Sequence, residues 1–182
     1  MRPDVLNLRE TLRGDAETVI LIVRMKVRTL YLETSIFGFW SDETPANREK
    51  RESVRMLLRQ IRQGRFHGVM SAFVLRELRR WEGSPILARI QELPLDVVEV
   101  DPEEVEGIAQ EYVRAGVLGP AHVEDTRHVA CATVLNVDVL VSLNLRHIAN
   151  TWRVQGFNAV NLKLGYKALT VATPQEVIDY GP

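Results

Sequence analysis

The sequence predicts an α/β fold of three layers, α/β/α, with a mostly parallel central sheet. Short apolar runs of strand length, at 30–32, 66–70, 95–100 and 137–141, alternate with longer stretches of helical periodicity. That alternation is the pattern of a parallel sheet covered by helices on both faces. Polar or acidic residues recur just past the strand ends, where open α/β sheets form their ligand crevices. With 182 residues, 46% of them hydrophobic, the chain can bury one sizeable core and little more.

Residues 1–24 differ from the rest of the chain: they are mostly polar and hold no steady period. Two readings stay open, an over-long start or a true extension with a helix over 4–13 and an edge strand over 19–23. Residues 25–182 are read as a single domain. Its first strand, Leu30-Tyr31-Leu32, ends abruptly at Glu33, Thr34 and Ser35 before an aromatic, glycine-containing segment. Glu33 is either a site carboxylate or the cap of a following helix.

A polar turn over 41–47 leads to a helix over 46–63, stopped by Gly64. Val54, Leu57, Leu58 and Ile61 give it a buried face. Arg48, Arg51, Arg55, Arg59 and Arg62 line another side, either as a solvated face or as contacts to a phosphate backbone. The second strand, 66–70, is followed by Ser71 as cap of a helix over 72–81 that carries Glu77. Gly83-Ser84-Pro85 breaks the chain, a helix follows over 86–93, and the third strand runs over 95–100.

Asp101, with Pro102 behind it and Glu104 three residues on, marks a strong helix start, and that helix ends near Gly116. The next helix begins at Glu124 and Asp125. Acidic residues there suit the helix dipole, which makes Glu124 structural. Ala130, Cys131, Ala132 and Thr133 let it lie close to the sheet. Val137 to Val141 is the clearest buried parallel strand and runs out into Ser142, Leu143, Asn144, Leu145, Arg146 and His147. A strand near 169–171 and a short helix over 174–180 close the fold.

The net charge of −1 excludes a global positive field, so any basic surface must be local, although Arg greatly outnumbers Lys and is the better fork for phosphate. Cys131 is the sole cysteine, which excludes an internal disulfide and a multi-cysteine zinc site and fits a reducing cytosol. It is read as a small core residue. The apolar run over 19–23 falls far short of the ~20 residues of a membrane span. A soluble, cytoplasmic protein is expected.

A parallel sheet brings Glu33, Glu77, Asp125 and Asn144 to one rim. Two carboxylates ~4 Å apart repel by about 4 kcal/mol at an effective dielectric of ~20. Something positive must sit among them, either an arginine or a divalent cation. Oxygen ligands, with no Cys cluster and no paired His at zinc spacing, favour Mg²⁺ or Mn²⁺ over Zn²⁺. Such an ion serves phosphodiester hydrolysis. The sequence holds neither glycine-rich phosphate loop, GxxxxGK[ST] or GxGxxG, and no nucleophile elbow. His67, His122, His128 and His147 are read as single surface or supporting groups.

Together these stretches resemble the PIN-domain ribonucleases, the fold of the VapC-like toxins of type II toxin-antitoxin systems, over nearly the whole chain from 25 to 180. LYLETSIF resembles the family's first strand with its acidic residue; MSAFVLREL resembles the second block, which places Glu77; EDTRHVACATVLNVDVLVSLNLRHI resembles the third and fourth, which place Asp125 and Asn144. The family usually carries Asp where this chain has Glu33, and often where it has Asn144. The resemblance implies Mg²⁺- or Mn²⁺-dependent cleavage of RNA by a homodimer held inactive by an antitoxin. It also implies that Glu33, Glu77 and Asp125 hold the metal, with Asn144, Thr34 and Ser35 orienting water and His147 in support. The rival is a PIN-fold module that binds RNA or protein without catalysis.

Overall fold

The computed structural model describes residues 27–81 and 85–181. The readings made for residues 1–24, the domain start at 25, and Gly83 and Ser84 of the expected break lie outside the described residues. Within them the chain runs β1 (Arg28–Leu32), α1 (Thr34–Ser41), α2 (Arg48–Arg62), β2 (Phe66–Ser71), α3 (Ala72–Arg79), α4 (Ile86–Gln91) and β3 (Leu95–Val98). It continues with α5 (Pro102–Arg114), α6 (Val123–Val134), β4 (Val139–Val141), α7 (Thr151–Lys163), β5 (Val171–Ala172) and α8 (Pro174–Val177). Single 3₁₀ turns, Pro45–Asn47 and Pro120–His122, lead into α2 and α6.

One five-stranded sheet has the order β3-β2-β1-β4-β5, every neighbour parallel. β1 lies at its centre, and Leu30, Tyr31 and Leu32 are fully buried, as a strand covered on both faces requires. Register between β1 and β4 is pinned at their start: Thr29 N–H donates to Asp138 Oδ2 (2.7 Å), and Asp138 N–H returns a bond to Thr29 O (3.0 Å). Because parallel crossovers are right-handed, the connections β1 to β2 to β3 put α1 to α4 on one face. The reversal of direction after β3 puts α5 to α7 on the other. Packing agrees, with α1 against α2 and α3, and α5 against α6 and α7.

On the first face α2 presses so near the sheet that a Cβ on Gly68 of β2 would lie 3.2 Å from Ile61 and 2.4 Å from Leu95 Cδ2. Gly64 and Gly116, expected as helix stops, follow α2 and α5 with φ of 74° and 70°, a left-handed conformation that costs glycine little. On the second face a buried polar knot holds the helices together. Tyr112 Oη donates to Asn161 Oδ1 (2.5 Å), and Asn161 Nδ2 donates to Thr133 Oγ1 (3.1 Å).

Several elements depart from expectation. The aromatic segment after β1 is a helix, α1, and Glu33 caps it. A thirteen-residue helix, α7, occupies a stretch in which the sequence pattern predicts no element. The edge strand β3 is shorter than its apolar run, and β5 lies slightly later, at Val171–Ala172. Ser71 stands at the cap position of α3 but its hydroxyl makes no cap bond, being engaged by Tyr31 Oη at 2.7 Å. Glu104 does not complete a capping box either: Asp101 Oδ1 accepts from Glu103 N–H (2.9 Å), while Glu104 accepts from Tyr166 Oη (2.6 Å). Among the described residues no helix is long and apolar enough to cross a membrane.

Candidate metal and active site at the switch of strand order

Strand order reverses at β1, whose two neighbours, β2 and β4, are reached by connections on opposite faces. The carboxyl ends of β1 and β4 therefore open a crevice, the place where such sheets bind ligands. Glu33 leaves the end of β1. Asn144 lies just beyond β4, Glu77 on the helix after β2, and Asp125 in the first turn of the helix that feeds β4.

Glu33 is 3% exposed. Its carboxylate accepts from Ser35 N–H (2.9 Å) and from the Ser35 hydroxyl, and that hydroxyl accepts from Leu143 N–H (2.9 Å). One serine thus ties the end of β1 to the end of β4. Of the two readings left open for Glu33, the cap is realised, at the same rim where the other acidic residues stand.

Glu77 accepts from Thr34 Oγ1 and from His128 Nε2 (3.0 Å). Burial would push this carboxyl up, but the hydrogen bond and charge of His128, with Thr34 and Arg80, outweigh it and hold Glu77 below the usual carboxylate range. His128 is the counterpart: burial pushes its imidazole down, yet Glu77, helped by the charges of Glu33 and Asp125, raises it above the ordinary histidine value. Behind it, Tyr31 Oη is 3.2 Å from His128 Nδ1 and 2.7 Å from Ser71 Oγ. A relay of Ser71, Tyr31, His128, Glu77 and Thr34 therefore runs from the core to the crevice.

Asn144 Nδ2 donates to Asp125 Oδ1 (2.7 Å), and Asn144 Oδ1 accepts from His147 N–H (3.1 Å). Only one amide orientation satisfies both bonds. The asparagine is thereby explained: a second carboxylate here would face Asp125 directly, whereas the amide meets it as a donor. The other oxygen, Asp125 Oδ2, lies 3.0 Å from His147 Nδ1 and 3.6 Å from His122 Nδ1, with the two imidazole rings 3.9 Å apart.

The residues present fit a divalent cation in one respect that the structure itself reports. The charges of Glu77, Glu33 and Asp125 together raise the buried His128 imidazole above the ordinary histidine value, which marks this rim as a negative environment. Glu33, Glu77 and Asp125 supply oxygen donors there. Each is engaged by a different internal partner, and among the described residues the one trio of ligand-type side chains with donor atoms within 4.8 Å of one another is His122, Asp125 and His147.

Of the arginines expected on α2, Arg48, Arg51 and Arg55 are engaged within the chain. Arg48 pairs with Glu52 (2.8 Å) and Arg55 with Glu43 (3.1 Å), both in solvent. Arg51 is not on the solvated face: the turn before α2 covers it, and it donates to Asp42 O (2.6 Å). A second basic cluster was missed by sequence reasoning. Arg76 and Arg80 line a cleft with Phe73, Glu77, Glu124 and Arg127, and the Arg76 guanidinium stacks over the Phe73 ring at 4.2 Å. Arg127 is paired with Glu106 (2.8 Å) and Glu124 (2.7 Å). His128, read from the sequence as a single surface or supporting group, is the buried partner of Glu77, and its spacing from Asp125, three residues along one helix, places both on one side of α6.

No family model matches the sequence, and no curated protein matches it. Among solved structures the chain is similar to a chain of VapBC2 from Rickettsia felis, bound to a DNA fragment from their promoter. The identity is 15% and the TM-score 0.53, over 80% of this chain and 98% of that one. At that identity the likeness is one of fold, and with the all-parallel sheet between helical layers it gives the chain a PIN-like α/β/α architecture.

Proposed function

We propose that the protein is a metal-dependent endoribonuclease, hydrolysing phosphodiester bonds of RNA, and the toxin of a toxin-antitoxin pair. The observation that supports this reading is that Glu33 beyond β1, Glu77 on the helix after β2, and Asp125 bonded to Asn144 beyond β4 stand about the carboxyl side of the sheet where strand order reverses, with Glu77 bonded to His128 of the helix that carries Asp125. Glu33, Glu77 and Asp125 would hold Mg²⁺ or Mn²⁺. The bound ion would supply a Lewis acid for the phosphoryl oxygens and lower the pKa of an attacking water. Asn144 fixes the Asp125 carboxylate, while the hydroxyls of Thr34 and Ser35 hold those of Glu77 and Glu33. Arg76 and Arg80, flanking Glu77, are better placed to receive an RNA backbone than Arg48, Arg51 and Arg55, whose charges are already matched.

A single PIN-like domain over 25–182 would carry the activity, in the cytoplasm and as a homodimer. The antitoxin partner rests on the family resemblance of the sequence motifs and on the likeness to a chain of VapBC2. The test is incubation of purified protein with structured RNA in Mg²⁺, Mn²⁺ or EDTA, beside Asp125→Asn. Cleavage that needs the metal and falls at least ~100-fold in the variant supports the reading. Cleavage in EDTA, or a fully active variant, removes it.

One observation favours a second reading, a PIN-fold module that binds RNA or protein without catalysis. Each carboxylate of the rim already has an internal partner, and the acidic residue at the end of β1 serves as a helix cap. RNA binding without cleavage in either metal would select it.

A further inference from the structure

We propose that His122, Asp125 and His147 form a site for a borderline divalent cation of the zinc class, distinct from the oxygen-donor set except for the shared aspartate. Their donor atoms converge within 4.8 Å, and all three side chains are partly buried yet reachable from solvent. Asp125 Oδ2 lies 3.0 Å from His147 Nδ1 and 3.6 Å from His122 Nδ1. Ligands on a tetrahedral ion with bonds of ~2.0–2.1 Å stand about 3.3–3.4 Å from one another, so these separations bracket the requirement. The two rings, 3.9 Å between centroids and inclined at 42°, lie side by side with both Nδ1 atoms directed at one oxygen.

The three residues are held there by backbone. His122 ends the 3₁₀ turn before α6, and Asp125 follows in the first turn of that helix. His147 is placed by the bond from its own N–H to Asn144 Oδ1 (3.1 Å), and Asn144 in turn grips Asp125 Oδ1. That bond leaves Oδ2 for the histidines. Two imidazoles and one carboxylate, with a fourth position open to water, make a donor set that zinc accepts. Nitrogen donors also rank Zn²⁺, Ni²⁺ and Co²⁺ well above Mg²⁺. The sequence hid the pair because its histidines come from segments 25 residues apart rather than from one zinc-spaced motif.

This site stands independently of the ribonuclease reading. The test is titration of the full chain with Zn²⁺ against a chromophoric chelator, and with Co²⁺ while following its visible absorption. Wild type is expected to bind one Zn²⁺ and to give a Co²⁺ spectrum of low coordination number. His122→Ala and His147→Ala should each weaken Zn²⁺ by at least tenfold, whereas Glu33→Gln and Glu77→Gln should leave it within about threefold. Melting curves without metal identify any variant that has failed to fold, for which His122→Gln or His147→Gln is substituted. Absence of zinc binding, unchanged affinity in both histidine variants, or equal losses in the two glutamate variants overturns the proposal. Zinc binding with no RNA cleavage in any metal would sink the ribonuclease reading alone.

Discussion

His128→Leu is the sharpest probe of the crevice, because it removes the partner that Glu77 and Tyr31 share in the core while roughly keeping side-chain volume. Glu77 loses a hydrogen bond of 3.0 Å to a charged group, an interaction worth about 1.5–3 kcal/mol. Thr34 still donates to the carboxylate, and the Glu77 side chain is 23% exposed, so water compensates in part. A loss of about 2 kcal/mol is expected, which for a chain of this size lowers Tm by about 4–8 °C. The pH dependence identifies the cause. With its folded pKa raised, His128 contributes stability that is complete below its unfolded value of ~6.5 and fades as pH rises through the folded value. Glu77, lowered, contributes stability present above its unfolded value of ~4.3 and lost as pH falls through the folded one. Melting curves in EDTA from pH 4 to 9 should therefore show the largest gap between wild type and variant at pH ~4.5–6.5, narrowing towards pH 9. A gap that is constant from pH 5 to 9, or no destabilisation at all, would refute the ion pair.

Glu33→Ala should abolish Mg²⁺ and Mn²⁺ binding in calorimetric titration and also cost about 1 kcal/mol through loss of the α1 cap, whereas Glu33→Asp should keep part of both. Unchanged metal affinity in the alanine variant would remove Glu33 from the site. Asn144→Asp turns a 2.7 Å donor contact into two facing carboxylates, so the metal-free variant should melt several degrees lower and regain most of that loss in Mg²⁺; the same deficit with and without Mg²⁺ would count against a cation at Asp125. Tyr112→Phe strands Asn161 Oδ1 in the core and should cost about 1–3 kcal/mol in urea unfolding. Burial pushes the Tyr112 hydroxyl up to about 12, so wild-type stability should be complete below pH ~10 and fall as pH rises towards that value, less steeply in the variant.

The elements legible in the sequence are those whose environment is uniform along their length. β1 and β4 are buried on both faces and read as unbroken apolar runs, and α2 shows its core stripe plainly. α1 was hidden because its residues, TSIFGFWS, are β-branched, aromatic, serine or glycine and favour a helix weakly. Its cap at Glu33 and the burial of Ile36 and Phe37 decide the matter. α7 was hidden because its apolar residues do not share one face: Phe157 and Val160 are buried while Trp152 and Leu162 are exposed. Glu33, Glu77 and Asn144 could be named as candidates in advance because they lie just past strand ends, and Asp125 because it opens a helix after a loop. His147 is named as a supporting residue by the family resemblance, but which carboxylate each histidine partners is not readable from the sequence, since those contacts join positions 22 and 51 residues apart in the chain.

The contact of Thr34, Glu77 and His128 joins α1 and α3 on one face of the sheet to α6 on the other, around the end of β1 rather than through it. Helical layers separated by a sheet ordinarily fluctuate independently, each opening at its own rate. Here the Glu77 carboxylate, with the Thr34 hydroxyl 3.5 Å from His128 Nε2 beside it, is the latch between them. Any ligand that draws Glu77 towards itself must slacken its hold on Thr34 or His128, so occupancy of the crevice is coupled to how freely the layers open. Amides of α1 and of the first turns of α6 should then exchange with solvent at rates that respond to ligand, while those of β1, enclosed on both sides, keep one slow rate throughout.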